Sequence, residues 1–344
     1  VPKKIAPLAA ALLACCWALP VAAQDAVAQF YRGKTVTIVV GTTVGGPYDA
    51  LARLLGRYLG KHLPGEPAVI VTNMPGAGSD VAAAYVARVA PKDGTYIASP
   101  YASEPLDPIL EDAAGLNFDP SRVNYLGSAM SDETVCIIRR DASATTFDDM
   151  FKTQVIMGGT AENGVTGYMP IVLNNVLGTK FKVVFGYPGA SEIIMAIQKG
   201  ETDGACGLFW RGFSQYADLF KNGVIKTLVQ ENDKGIPELN KMGVPLTVAY
   251  AHDEQQRRIL EVLYSQGIFA RPYFVAAEVP PDRLQVLRRA FMEILHDPDL
   301  LEDAANMNLP IVPMSGEEVQ ALLQKIYANP PALLQSVKEA IKLK

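Results

Sequence analysis

Histidine and cysteine are scarce: three histidines and four cysteines in 344 residues. His62, His252 and His296 fall in or beside helical patterns, without the spacing that a metal site needs. There is no G-x-S-x-G elbow and no G-x-x-x-x-G-K-[ST] loop, and no cysteine stands beside a base. Catalytic residues, metal ligands and cofactors are therefore not expected. Charge is also sparse, with 19% charged residues and a net charge of −5, and no basic run. That excludes nucleic acid as a partner. Gly76-Ala77-Gly78 opens like a dinucleotide fingerprint, but Val81 stands where the third small residue belongs, so a structural turn or a cleft rim is expected instead.

What the chain has in quantity is apolar surface. Hydrophobic residues make up 49% of it, enough for packed cores, and the length suits two domains. The N-terminus reads as a leader. Lys3 and Lys4 precede the apolar run Ile5–Leu19, which is short for a membrane span, and Pro20-Val21-Ala22-Ala23 follows. Cleavage after Ala23 and a periplasmic location are expected. Leu12-Leu13-Ala14-Cys15 resembles a lipoprotein box, but its second position is usually smaller than Leu, so lipidation is the weaker reading. Beyond the leader only Cys136 and Cys206 remain. Both lie in apolar, strand-like stretches. A disulfide and two buried free thiols are both open.

Strand and helix patterns alternate after a polar lead-in, Gln24–Lys34. Val36–Val40 is a β-branched run suited to a strand buried on both faces. Pro47–His62 reads as a helix opened by proline, Ala68–Thr72 as a strand, Ser79–Val89 as a helix and Tyr96–Ser99 as a strand. After an irregular, Asp- and Pro-rich segment, Thr134–Ile138 reads as a strand. The alternation restarts at Gln154–Met157 and runs to Val229. The chain is mainly helical beyond Asp233, and Ser315 with Glu318 forms a capping box. This predicts an α/β protein with two mainly parallel sheets flanked by helices. The expected units are 1–23 as signal peptide, 24–127 plus 233–344 as one lobe, and 128–232 as the other. Ligands of such folds sit beyond the carboxyl ends of the strands, here between the lobes.

Four loops carry the candidate site. Gly45-Gly46-Pro47-Tyr48-Asp49 joins a strand to a helix start, where unpaired backbone N–H groups attract an anion. Tyr48 offers a hydroxyl and a ring face, and Asp49 an acceptor. Ser103 and Glu104 follow the third strand. Thr160, Asn163 and Thr166 lie in the matching loop of the second block, with Thr166 placed to cap the next helix. Gly189, Ala190 and Ser191 open another helix. Arg211 follows a further strand, as either a second carboxylate partner or an exposed charge. Each loop has a plainer reading as a structural turn.

At these residues the chain resembles a known family. GKTVTIVVG…GGPYDALARLLGRYL, NMPGAGSDVAAAYVARVAPKDGT and YPGASEIIMAIQKGETDGA are similar to the periplasmic substrate-binding receptors of tripartite tricarboxylate transporters, the Bug family. The resemblance runs from about Tyr31 to the C-terminus and implies a two-lobed fold of the type II periplasmic-binding-protein kind that closes on a carboxylate. It carries a binding role onto Gly45, Gly46, Pro47, Tyr48 and Asp49, and more loosely onto Thr160–Thr166 and Gly189–Ser191. Members commonly have a Pro- and Phe-rich run before the double glycine and a small residue where Tyr48 stands. Here the run is Gly41-Thr42-Thr43-Val44, so no particular family ligand transfers. The expected function is capture of a small organic carboxylate and its delivery to the membrane permease subunits of such a transporter. The receptor is expected to be a monomer and not an enzyme. Two alternatives stand beside this: a ligand-sensing partner of a membrane histidine kinase, and an enzyme of the same shape using Asp49 with Glu104.

Overall fold

The computed structural model describes residues 19–110 and 118–343, with side chains from Asp25 onward and without that of Ser214. The expected leader, with its lipoprotein-like box at Cys15, lies outside the described residues except for the backbone of Leu19–Ala23. None of the described helices is long and apolar enough to cross a membrane. The polar lead-in continues a helix. Leu19–Tyr31 is a helix whose Val27 and Tyr31 are buried, and the Tyr31 hydroxyl donates to the Gly94 carbonyl at 3.0 Å. Its apolar residues, more than its polar ones, decide its place.

Eleven strands among the described residues build two sheets. The first contains β1 (Thr35–Val40), β2 (Ala68–Asn73), β3 (Tyr96–Ser99), β4 (Asn124–Ser128), β10 (Pro272–Val275) and β11 (Met314–Ser315), in the order β11-β4-β10-β3-β1-β2. The second contains β5 (Thr134–Arg139), β6 (Val155–Gly158), β7 (Phe181–Val184), β8 (Gly204–Phe209) and β9 (Ile225–Glu231), in the order β7-β6-β8-β5-β9. β1 is parallel to β2 and β3, and β6 is parallel to β7 and β8. The first strand after each passage between sheets enters against that direction: β5 is antiparallel to β8 and β9, and β10 to β3 and β4. The fold is thus a two-lobed α/β architecture with mixed sheets.

Local chemistry accounts for the elements. Val36–Val40 is buried throughout because β1 lies between two strands with helices on both faces, so it shows no alternation. β2, at the edge, is only half covered. The Ser315 capping box forms, with the hydroxyl accepting from Glu318 N at 3.2 Å and the Glu318 carboxylate accepting from Ser315 N at 2.8 Å. Cys136 and Cys206 stand on adjacent strands and are joined by a disulfide. Past β9 the chain stays with the second sheet. Ile236 and Leu239 enter that sheet's core, and the Glu254–Tyr264 helix packs on Val165–Leu177 and on the last helix, Pro331–Ala340. Only at Arg271, entering β10, does it return.

Candidate ligand-binding cleft

The loops at the carboxyl ends of β1, β6, β7 and β8 face one another around a cavity of about 360 Å³. Thr42–Tyr48 and Tyr101 form its wall on the side of the first sheet. Thr160, Gly164–Thr166, Pro188–Glu192 and the end of β8 form the opposite wall.

Three helices begin at this cavity, one on the first sheet and two on the second: Pro47–His62, Val165–Leu177 and Ala190–Lys199. Their N-caps are Gly46, Gly164 and Gly189, all extended in backbone and none with a side-chain cap. Serine, threonine, aspartate or asparagine at these positions would accept from the first N–H groups. Glycine cannot, so the amides and the positive ends of three helix dipoles remain directed at the cavity. That arrangement suits a small anion.

Of the residues predicted for the site, Gly45, Gly46, Pro47, Tyr48, Thr160, Thr166, Gly189, Ala190 and Ser191 line the cavity. Their contributions differ from expectation in detail. The Tyr48 hydroxyl is engaged by backbone, donating to Ala270 O and accepting from Ala102 N, both at 3.2 Å, so it is the ring that faces the cleft. The Gly45 N–H is occupied by Asp49 at 2.9 Å. Thr166 is not the cap. It lies inside its helix and its hydroxyl accepts from Thr160 N at 3.1 Å, fixing the loop. Pro47 contributes shape and no donor.

Asp49, Ser103, Glu104 and Asn163 are not among the lining residues. The Asp49 carboxylate is buried behind the loop, where it accepts from Gly45 N, from Asn73 Nδ2 at 2.8 Å and from Arg53 Nε at 3.0 Å, and so forms an ion pair with Arg53. Burial pushes its pKa up, but hydrogen bonds from Arg53, Gly45 and Asn73 outweigh that and hold it below its ordinary value. It braces the glycine turn. Glu104 and Ser103 are likewise buried, with Ser79 Oγ donating to Glu104 at 3.3 Å. The one carboxylate pair considered for acid–base work therefore does not meet in the cavity. Asn163 sits at the rim and reaches across it. Its Nδ2 lies 3.5 Å from Ala77 O, in the Gly76–Gly78 loop of the first sheet. Arg211 is exposed, and only its backbone N–H turns inward, to the buried Asp132 at 3.1 Å.

The sequence reading missed Arg271 and most of the rings. Arg271 lines the cavity, yet only 3% of it is exposed. Its guanidinium stands 4.0 Å from the Tyr48 ring centre and 5.0 Å from that of Phe209. Tyr101 meets Tyr48 edge-on at 5.1 Å. Phe209, Phe213 and Tyr216 complete the aromatic wall, with the Tyr216 hydroxyl donating to Ser191 Oγ at 3.0 Å. The one available sign was a single charge inside the apolar stretch Ile268–Val275.

Known proteins place this architecture. No family model matches the sequence. A UPF0065 protein from Agrobacterium vitis is 29% identical over 191 residues, covering 54% of this chain; the chain thus spans about half, 52%, of that relative's length. Among solved structures, the periplasmic binding protein BugD aligns with a TM-score of 0.70 at 20% identity, covering 90% of this chain and 98% of its own. MatC from Rhodopseudomonas palustris, solved with malate, aligns at 0.68 and 18%, covering 90% and 99%. An R. palustris protein solved with adipate aligns at 0.67 and 18%, covering 90% and 97%. The resemblance read from the glycine loops thus holds in the fold, which is that of Bug and TctC periplasmic binding proteins.

Proposed function

We propose that this protein is a solute receptor that captures a small organic carboxylate between its two lobes and performs no chemistry on it. The observation that carries the reading is the convergence of three glycine-capped helix starts, contributed by both sheets, on one cavity. A carboxylate bridging them is favoured by helix amides on each side, so its binding energy draws the lobes together. Binding proteins of the same fold solved with malate and with adipate support the ligand class. Export through a cleavable leader, a periplasmic location and hand-over of the closed form to the permease subunits of a tripartite tricarboxylate-type transporter complete the proposal. The receptor acts as a monomer. Its lobes divide after β4 and again between Tyr264 and Arg271, later than residue 233.

Gly46→Val tests this reading. Gly46 has φ −78°, and an added Cβ meets nothing closer than Thr43 O at 3.9 Å, so the variant folds. Its isopropyl group covers the amide front. Calorimetric affinity for every carboxylate that wild type binds is expected to fall about tenfold or more, the weight of a charge-assisted hydrogen bond. Unchanged affinities would remove the amide front from the site.

A further inference from the structure

We propose that Arg271 is the specificity-determining residue of this cleft, and that the ligand it selects is a carboxylate carried on a flat, apolar ring. The inference rests on the carboxylate-receptor reading above and narrows it.

A guanidinium is rarely buried without a counter-charge, because removing it from water is costly unless the charge is paired. Among the described residues no carboxylate lies within ion-pair distance of Arg271. Its side chain donates from Nη1 to its own neighbour, Ala270 O, at 2.7 Å. Its Nε is buried with no partner. The nearby acid, Asp132, makes no ion pair with Arg271 and takes the Arg211 N–H instead, at 3.1 Å. Burial pushes its pKa up to about 7, outweighing the Arg211 N–H and the Arg271 charge that draw it down, so at neutral pH it balances the guanidinium only in part. Arginine offers five donors in a planar fork, which matches a carboxylate edge. The buried cation at the cavity wall is thus short of the anion that the cavity can supply.

The surroundings define the rest of the ligand. Tyr48 and Tyr101 approach from the first sheet, and Phe209, Phe213 and Tyr216 from the second. A chain rich in hydroxyls would find partners at Thr42, Thr43, Ser191, Glu192 and Gln215, which also line the cavity, but none on these ring faces. A ring stacks on them, and aromatic pairs at such distances add to the apolar burial. The volume of about 360 Å³ lies within the range of small-molecule sites.

The experiment titrates the full mature chain calorimetrically with benzoate, 4-hydroxybenzoate, malate and adipate, for wild type, Arg271→Met and Arg271→Lys, and records the melting point of each without ligand. Wild type is expected to bind the ring acids at least about tenfold more tightly than malate or adipate. Arg271→Met is expected to lose about 100-fold, the usual cost of removing one partner of a buried charge pair. Arg271→Lys keeps the charge but not the fork and is expected to lose less. The ligand-free melting point of Arg271→Met is expected to rise, because an unpaired buried charge is replaced by an apolar side chain. A cation serving only to hold the fold would instead lower it. Unchanged affinity in both variants, or a fall in melting point or loss of folding in Arg271→Met, overturns the assignment. Tight binding of malate or adipate with no response to benzoate overturns the ring preference while leaving the carboxylate reading intact. No response to any of the four, nor to a wider carboxylate panel, overturns both.

Discussion

Neighbouring residues of the glycine loop do unlike things, and substitution separates them. Asp49 accepts three hydrogen bonds behind the wall and has no face on the cavity. Asp49→Asn cannot keep all three as an acceptor, and is expected to cost about 1–3 kcal/mol in denaturant melts. Affinities should fall together while the order of preferred ligands stays the same; a changed order would put Asp49 in contact with ligand. Gly45 and Gly46 differ in the same way. Gly45 has φ +88°, a conformation disfavoured for any side chain, whereas Gly46 does not. Gly45→Val is therefore expected to cost about 1–2 kcal/mol of stability, and Gly46→Val chiefly affinity; chemical unfolding alongside calorimetry separates the two. The glycine pattern was legible in the sequence because it repeats before three helices. Which way Asp49 points was not, since that depends on Arg53 and on Asn73, which arrives from the next strand.

At the ends of the strands lies a second kind of information, in buried acids. Glu231 ends β9, fully enclosed, and burial pushes its carboxyl up to about 8, only partly offset by hydrogen bonds from Gly207 N and Thr134. Asp132, between β4 and β5, is raised to about 7, again by burial. Both pKa values lie above those of the unfolded chain. The folded protein therefore holds protons that the unfolded chain releases, and the stability this contributes is present in full below about pH 4 and is lost as pH rises through about 7 to 8. The melting point is expected to fall between pH 5 and pH 8.5, more steeply than in Asp132→Asn or Glu231→Gln, as followed by calorimetric scans. A wild-type melting point that climbs over this range, or variants with the same slope, would show these acids to be ionised in the fold. Element types were readable from periodicity: β1, the Pro47–His62 helix and the Ser315 capping box all form. The helix within the polar lead-in was not legible, because Gln24, Asp25 and Gln29 obscure the spacing of Val27 and Tyr31, which anchor it.

Taken whole, the molecule is two mixed sheets whose strand ends meet, with contact already made at the rim between Asn163 and the Gly76–Gly78 loop. The two-lobed plan was visible in the sequence, since βα alternation stops and restarts. The cleft's own chemistry was only half visible. Amide donors follow from loop glycines, but the aromatic wall and Arg271 come from distant stretches: Tyr48 and Tyr101 on one side, Phe209, Phe213 and Tyr216 on the other, and Arg271 where the chain returns. No local period links them; only the topology does. Calorimetric titration of the purified chain with paired carboxylates and their uncharged primary amides, benzoate against benzamide first, asks directly whether this cleft is built for an anion. One-to-one binding of a carboxylate, with no measurable heat from its amide and the acid recovered unaltered, is the expected result. Equal binding of acid and amide, or conversion of the acid into a product, would contradict it.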